Sequence, residues 1–476
     1  MPLSLALDLG TTTITALAVD VSSGDIVARQ TVANDAEITS SEHKARGRSE
    51  WDANRIAAAA KQALRTLAHA LGRRVGEVAG IGLTGQQHGA VLIDDEFTPL
   101  GPLINWQDRR AEETKPHTGV IWLNEIRSRV GDEARERAGC TLSSGYMGAT
   151  LYWLAHQDML PRRARACFLV DFLAAVMTRT APLTDPTSAA SSGLFDVRAS
   201  AWDERTIEAL GLSSTLFPSV GRAGERQGSL HSSWAAKTGL VAGLPVCVGL
   251  GDNQASVYGS VADLPDTVLV NVGTGGQVTA WSDRFLYSRN LETRPFPGGY
   301  LIVNAGLCGG RTYAVLERFF QQTCQAFGQT LPEAQLYDVM NRLAAAVPPG
   351  AAGLRCEPLF TGTRQQPDLR GRFTGISIDN FTPGHVTRAL LEGMGAVFEG
   401  GYQEIVAALG AGRSRLVGAG NGLRQNGVFC DIVSRAFGMP MRLCRHAEEA
   451  AFGAALVAAV GLGLLPDRQA AARLIR

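Results

Sequence analysis

The stretch Leu3–Val19, LSLALDLGTTTITALAV, decides how the rest of the chain is read. Leu3, Leu5, Leu7 and Leu9 alternate with small or polar residues, and after Asp8-Leu9-Gly10-Thr11-Thr12 the alternation resumes at Ile14, Ala16 and Ala18. Two period-2 runs around a glycine turn predict a β-hairpin. Without a Cβ at Gly10, main-chain N–H groups and the hydroxyls of Thr11 and Thr12 can face an anion at close range. A carboxylate at the end of an apolar strand is costly unless water or a cation meets it. A magnesium ion carried by a nucleotide phosphate would meet Asp8. Alone, the stretch reads first as a tight hairpin capped by its own aspartate. A second copy changes the balance: Val268–Ala280, VLVNVGTGGQVTA, sets Gly273-Thr274-Gly275-Gly276 between two more apolar strands. Two such turns on separate hairpins imply two related lobes closing on one nucleotide.

A chain of 476 residues exceeds a single core, so two domains are expected, 1–244 and 245–476, divided in the segment Gly239–Pro245. With 45% hydrophobic and 19% charged residues the composition is that of a globular protein. Lys plus Arg and Asp plus Glu each total 45, which leaves no net charge to draw in nucleic acid or an anionic membrane. Local backbone amides can still hold a phosphate. The eight cysteines form no C-x-x-C pair, which argues for a reducing compartment and against zinc. No basic flank precedes the first apolar run, and Ala450–Leu465 is too short and glycine-rich to span a bilayer, so a cytoplasmic location is expected.

Val78–Leu83 predicts a buried strand running into Thr84-Gly85-Gln86-Gln87-His88-Gly89, with strand resuming at Ala90. Polar residues at such strand ends are where α/β sheets place ligands. Trp106-Gln107-Asp108 opens a charged segment expected to be helical through Glu113; it offers an apolar face and a carboxylate to a sugar, or simply an acidic helix N-terminus. Asp185–Ser192 reads as a small-residue loop, and Arg355–Gly375, with Gly362, Pro367 and Gly371, as a loop-rich stretch. Asp252 follows the strand Pro245–Leu250 and Gly251, flanked by Asn253 and Gln254. It can cap a helix over Gln254–Gly259 or accept a proton from a substrate hydroxyl, and the two roles are compatible. Arg415–Val417 ends in Gly418-Ala419-Gly420-Asn421-Gly422, a third glycine turn against which an adenosine could lie. No G-x-x-x-x-G-K-[ST] or G-x-S-x-G occurs, which removes a Walker loop and a hydrolase elbow.

In order along the chain, Asp8-x-Gly10-Thr11, Gln87-His88, Trp106-x-Asp108, Gly251-Asp252-Asn253-Gln254, Gly273-Thr274-Gly275 and Gly418-Ala419-Gly420-Asn421 resemble the motifs of the FGGY carbohydrate kinases of the sugar-kinase/actin superfamily. The resemblance covers nearly the whole chain. It implies an α/β fold of two ribonuclease H-like (actin-like ATPase) domains flanking a cleft that takes ATP, Mg2+ and a sugar. It further implies Asp252 as catalytic base and Asp8 as the magnesium ligand. Gly10, Thr11, Thr12, Gly273, Thr274 and Gly275 would hold the phosphates, and Gly418, Gly420 and Asn421 the adenosine. Gln87, His88, Trp106, Asp108 and Asn253 would contact the sugar. Homodimers are common among such kinases. Within the family, Ser144-Gly145-Tyr146, DPTSAASSG over 185–193 and GDNQAS most resemble sedoheptulokinases, with xylulokinases next. The latter usually carry Met where this chain has Gln87. A non-catalytic actin-like nucleotide clamp is the alternative from a different class.

Overall fold

The computed structural model describes residues 2–329, 332–360, 362 and 368–475. Pro367, part of the expected loop-rich stretch, lies outside the described residues. The predicted hairpin forms from β1 (Leu3–Leu9) and β2 (Thr13–Asp20), paired from Leu3 opposite Asp20 to Leu9 opposite Ile14. Strand β3 (Ile26–Ala33) continues it antiparallel, and β4 (Val78–Gly85) runs parallel to β1. Beyond β4 lie β5 (Arg226–Ser229) and β6 (Pro245–Cys247), giving the order β5-β6-β4-β1-β2-β3, while the short β7 (Leu250–Gly251) also pairs with β4. The expected division at Pro245 therefore falls inside the first lobe. Its apolar run does not start a new sheet; it supplies parallel neighbours to β4. We place the boundary at 261–266.

The second sheet repeats the plan. Strands β8 (Thr267–Val272), β9 (Gly276–Ser282), β10 (Glu292–Phe296), β11 (Gly299–Leu307), β12 (Arg415–Ala419) and β13 (Met441–Leu443) take the order β10-β11-β9-β8-β12-β13. The run β11-β9-β8-β12-β13 matches β3-β2-β1-β4-β6 strand for strand, with β8 parallel to β12 as β1 is to β4. Both glycine turns thus occupy the same place in equivalent sheets.

Each face of β1 meets a helix. Leu3, Leu5, Leu7 and Leu9 enter a core with α1 (Ala53–Leu71), which Asp52 caps through the N–H groups of Asn54 and Arg55. On the opposite face, Ser4 and Ala6 stay small because a helix lies close against them. That helix is α7 (Glu449–Gly461), reached through Ser4 Oγ donating to the Ala455 carbonyl at 2.8 Å. A Cβ on Gly82 of β4 would strike the Ala454 carbonyl. Between the two sheets α7 also crosses α4 (Asp252–Ser260), where a Cβ on Gly453 would collide with the Ala255 carbonyl and one on Gly259 with that of Glu449. The remaining labelled helices are α2 (Trp122–Ala138, kinked at Gly131), α3 (Pro186–Ala190), α5 (Gly310–Ala326) and α6 (Pro383–Leu409). Two expectations change here. Asp185–Ser192 is mostly helix, started by the Asp185 side chain accepting from Thr187 N–H at 2.8 Å. Trp106–Glu113 is a turn with a single 3-10 turn over Arg110–Glu112, rather than a helix. Among the described residues no helix is long and apolar enough to cross a membrane.

Candidate active site

Sheet register places the two key carboxylates. Asp8 pairs with Thr84 of β4, and Leu250 and Gly251 pair with Thr84 and Gly85 on the other side of that strand. Asp252 follows at once, so the two acids flank the end of β4, roughly 10 Å apart at the spacing of neighbouring strands. Burial lifts the Asp8 carboxyl to about 7, with the negative charges of Asp252 and Glu448 adding to the effect. Burial likewise lifts Asp252 to about 6, against the pull of the Asn253 N–H and the Arg294 guanidinium. Two desolvated acids near each other fit a site that takes a cation and handles a proton. Asp252 is the first residue of α4, and Gly251 occupies the cap position. Its Oδ1 accepts from the adjacent Asn253 N–H at 2.7 Å.

Two residues beyond Asp252, Gln254 lines a small pocket together with Gln87, His88, Thr187, Ser191 and Arg294 among others. The Gln87 side chain donates to the Thr187 carbonyl at 2.7 Å and packs where a Cβ on Gly251 would sit. Gly251 N–H in turn donates to Thr187 Oγ1 at 2.8 Å, tying α3 to β7, the short strand that leads into Asp252. His88 sits at φ +74°, an uncommon conformation for a residue with a Cβ. It is held there by its N–H to Ser191 Oγ at 3.0 Å, by Nδ1 to the Ser191 carbonyl at 2.9 Å, and by stacking on Tyr146 with ring centres 4.2 Å apart. The bond to a carbonyl makes Nδ1 the protonated nitrogen, so Nε2 is the acceptor. Gln254 Oε1, Asn253 Nδ2 and both polar atoms of Gln86 are buried without a protein partner. Of these, Gln254 lines the pocket itself, where an unsatisfied acceptor suits a hydroxylated ligand.

The two glycine turns border the cleft. Gly273, Thr274 and Gly275 are exposed, and α5 begins against them, with Gly310 N–H donating to the Gly273 carbonyl at 2.9 Å and Arg311 N–H to that of Thr274 at 3.0 Å. Across the cleft Gly10 is fixed by Asn34 Nδ2 donating to its carbonyl at 2.9 Å. Trp106 lines the cleft with Thr274 and Gly275, and its indole N–H donates to Thr11 Oγ1 at 3.0 Å. Thr12 is exposed beside it. Gly420, at φ +85°, lies where a Cβ would strike the Val272 carbonyl, and Asn421 follows it on the surface. Gly418 is different: it is buried against Met441 and Leu443 and serves strand packing.

Asp108 also departs from expectation. It is fully buried and both oxygens are taken, Oδ1 by Arg110 Nε at 2.8 Å and the Arg110 N–H at 2.9 Å, Oδ2 by Arg110 Nη2 at 2.9 Å and the Ser49 N–H at 2.8 Å. With its lone pairs so occupied it anchors the loop below Trp106 and has little left for a sugar. Among the pocket residues, Glu292, Thr293 and Arg294 were not singled out in the sequence, and Thr187 was noted there only as part of the 185–193 segment. Glu292 and Arg294 sit on a strand whose ETRPF sequence lacks an apolar alternation, and Pro295 is tolerated because β10 is an edge.

Residues 3–259 match the N-terminal domain model, and 268–462 the C-terminal domain model, of the FGGY family of carbohydrate kinases. The chain is 28% identical to the sedoheptulokinase of Homo sapiens, with 96% of this chain and 97% of that protein aligned. It is 26% identical to a xylulose kinase of Staphylococcus epidermidis, over 96% of this chain and 88% of that one. A crystal structure of xylulose kinase from Rhodospirillum rubrum superposes with a TM-score of 0.86 at 25% identity, covering 100% of this chain and 93% of that one. Plasmodium falciparum glycerol kinase shares the fold, with a TM-score of 0.84 at 17% identity over 100% and 92%. Two equivalent sheets, paired glycine turns and matches to both domain models lead to one conclusion: the chain belongs to the FGGY family of carbohydrate kinases and is a phosphotransferase with an alcohol group as acceptor.

Proposed function

We propose that the chain transfers the γ-phosphoryl group of ATP to the terminal hydroxyl of a ketose, with sedoheptulose the first candidate and xylulose the second. The observation that carries the reading is Asp252: a desolvated carboxylate at the first position of α4, two residues from Gln254 of the pocket and within electrostatic reach of Asp8 beside the first glycine turn. Asp252 accepts the hydroxyl proton as the sugar oxygen bonds to the γ-phosphorus and the bond to the ADP oxygen breaks. Gln87, the Nε2 acceptor of His88, Asn253 and Gln254 orient the acceptor alcohol. Backbone amides at Gly10 and Gly273–Gly275, with Thr11, Thr12 and Thr274, hold the phosphates, while Gly420 and Asn421 border the adenosine. Asp8 is the residue that would hold Mg2+, which neutralises phosphate charge when bound. The sedoheptulose preference rests on the relatives, of which the human sedoheptulokinase aligns over nearly both full lengths. A coupled ADP-release assay over a panel of ketoses and polyols, ranked by kcat/KM, tests the assignment. Sedoheptulose should lead, and a higher value for any other sugar overturns that choice. Asp252→Asn should lower kcat by about 10²–10⁴-fold while calorimetry shows nucleotide binding retained. Undiminished turnover in that variant removes the base.

A further inference from the structure

Edge strand β10 belongs to the second sheet, yet it reaches across the cleft to the first lobe. Thr293 N–H donates to the Gly139 carbonyl at 2.8 Å, and a Cβ on Gly139 would collide with the Thr293 carbonyl. Three residues of this strand, Glu292, Thr293 and Arg294, line the sugar pocket. The buried Glu292 takes Arg294 Nε at 2.9 Å and Nη2 at 2.6 Å on one oxygen, which locks the guanidinium plane. Arg294 Nη1 then donates to Asn253 Oδ1 at 2.9 Å. A guanidinium only donates, so the Asn253 amide has one permitted orientation: Oδ1 toward Arg294 and Nδ2 away from it. Nδ2 is buried and has no protein acceptor, one residue from Asp252.

We propose that Arg294 is a positioning residue for the acceptor sugar: from the opposite lobe it fixes Asn253 as a hydrogen-bond donor beside the base, so that the pocket is complete only while β10 is docked. The substrate feature so recognised is an oxygen on the carbon next to the phosphorylated hydroxymethyl group. The proposal rests on the reading of this pocket as the ketose site.

The test uses the full-length enzyme and four variants, Arg294→Leu, Arg294→Lys, Asn253→Ala and the double variant Arg294→Leu/Asn253→Ala, with the best ketose of the panel and its analogue lacking the neighbouring hydroxyl. Arg294→Leu should raise KM for the ketose 10- to 100-fold, leave KM for ATP within about twofold, and narrow the preference for the ketose over its deoxy analogue. Arg294→Lys, which keeps the charge and loses the fork, should recover part of the loss. The double variant should be no worse than Asn253→Ala, because Arg294 acts through that amide. Melting temperatures within a few degrees of wild type identify the variants as folded, and Arg294→Lys serves where Arg294→Leu is not. Equal fold-losses from Arg294→Leu in the wild-type and Asn253→Ala backgrounds, or an unchanged ketose KM and unchanged discrimination, overturn the proposal alone. A wild-type enzyme that phosphorylates no ketose or polyol overturns the reading beneath it.

Discussion

At the scale of single residues, the ionisation of two aspartates sets the working range. As the proposed base Asp252 has to be deprotonated to accept a proton, so kcat/KM should fall about tenfold per unit as pH drops below about 6. A profile flat down to pH 5 contradicts that role. For stability the sign reverses. Both carboxyls titrate above the ordinary 3.8 in the folded chain, so each favours folding when protonated. That contribution is full below about 4 and is lost as pH rises through 6 to 7. Asp8→Asn should therefore stabilise the ligand-free protein at pH 8, by roughly 1–3 kcal/mol once solvent access at the cleft is allowed for, with the gain vanishing near pH 4. Denaturant titrations of both proteins at the two pH values check it, and magnesium-dependent turnover should be lost. Asp8, Gly10 and Asp252 were legible because each interrupts or ends an apolar run. Asp108 was not: the W-x-D spacing is visible, but not that Arg110 folds back to consume its carboxylate. Arg294 could not be found from a strand without alternation.

At the scale of elements, the crossing of α4 and α7 holds the helix that begins at Asp252, the proposed base, in place. It relies on backbone contact at Gly453 and Gly259, since a Cβ at either meets main chain that cannot move aside. Gly453→Ala should cost about 1–3 kcal/mol or more and, by displacing the helix that begins at Asp252, lower kcat. Chemical denaturation with parallel kinetics tests this, and wild-type values in both would show that the crossing tolerates a methyl group. Trp106 links elements differently, its indole tying the loop before Arg110 to the first phosphate turn. Trp106→Phe keeps the apolar face and drops that bond, so KM for ATP should rise about two- to tenfold, with weaker fluorescence change on ATP binding. The hairpins and long helices were readable from periodicity. The helix at Pro186–Ala190 was hidden by five small residues, whose burial is set by Gln87 and Gly251 from far along the chain.

At the scale of the molecule, the repeat of one sheet plan was visible only as two similar glycine turns, because the parallel partners β4 and β12 are supplied by unrelated sequence. The misplaced boundary has the same origin: a strand's sheet is a long-range choice, and β6 pairs with β4 across more than 150 residues of chain. Ion pairs also link the first sheet to the segment before α7, where Arg29 meets Glu448 at 2.8 Å and Arg445 meets Asp25 at 2.5 Å. Because α7 covers one face of β1 and β4, a fragment of residues 2–260 should lack cooperative unfolding and bind a hydrophobic dye, whereas the full chain does neither. A sharp thermal transition in the fragment contradicts this. The arrangement has a bearing on biosynthesis. A ribosome delivers β1 and β4 well before α7, the helix that covers them, so one side of that sheet stays naked while the intervening chain is made. Holding chaperones are the natural custodians of such a nascent chain, and its yield should fall when they are scarce well before the finished enzyme shows any fragility.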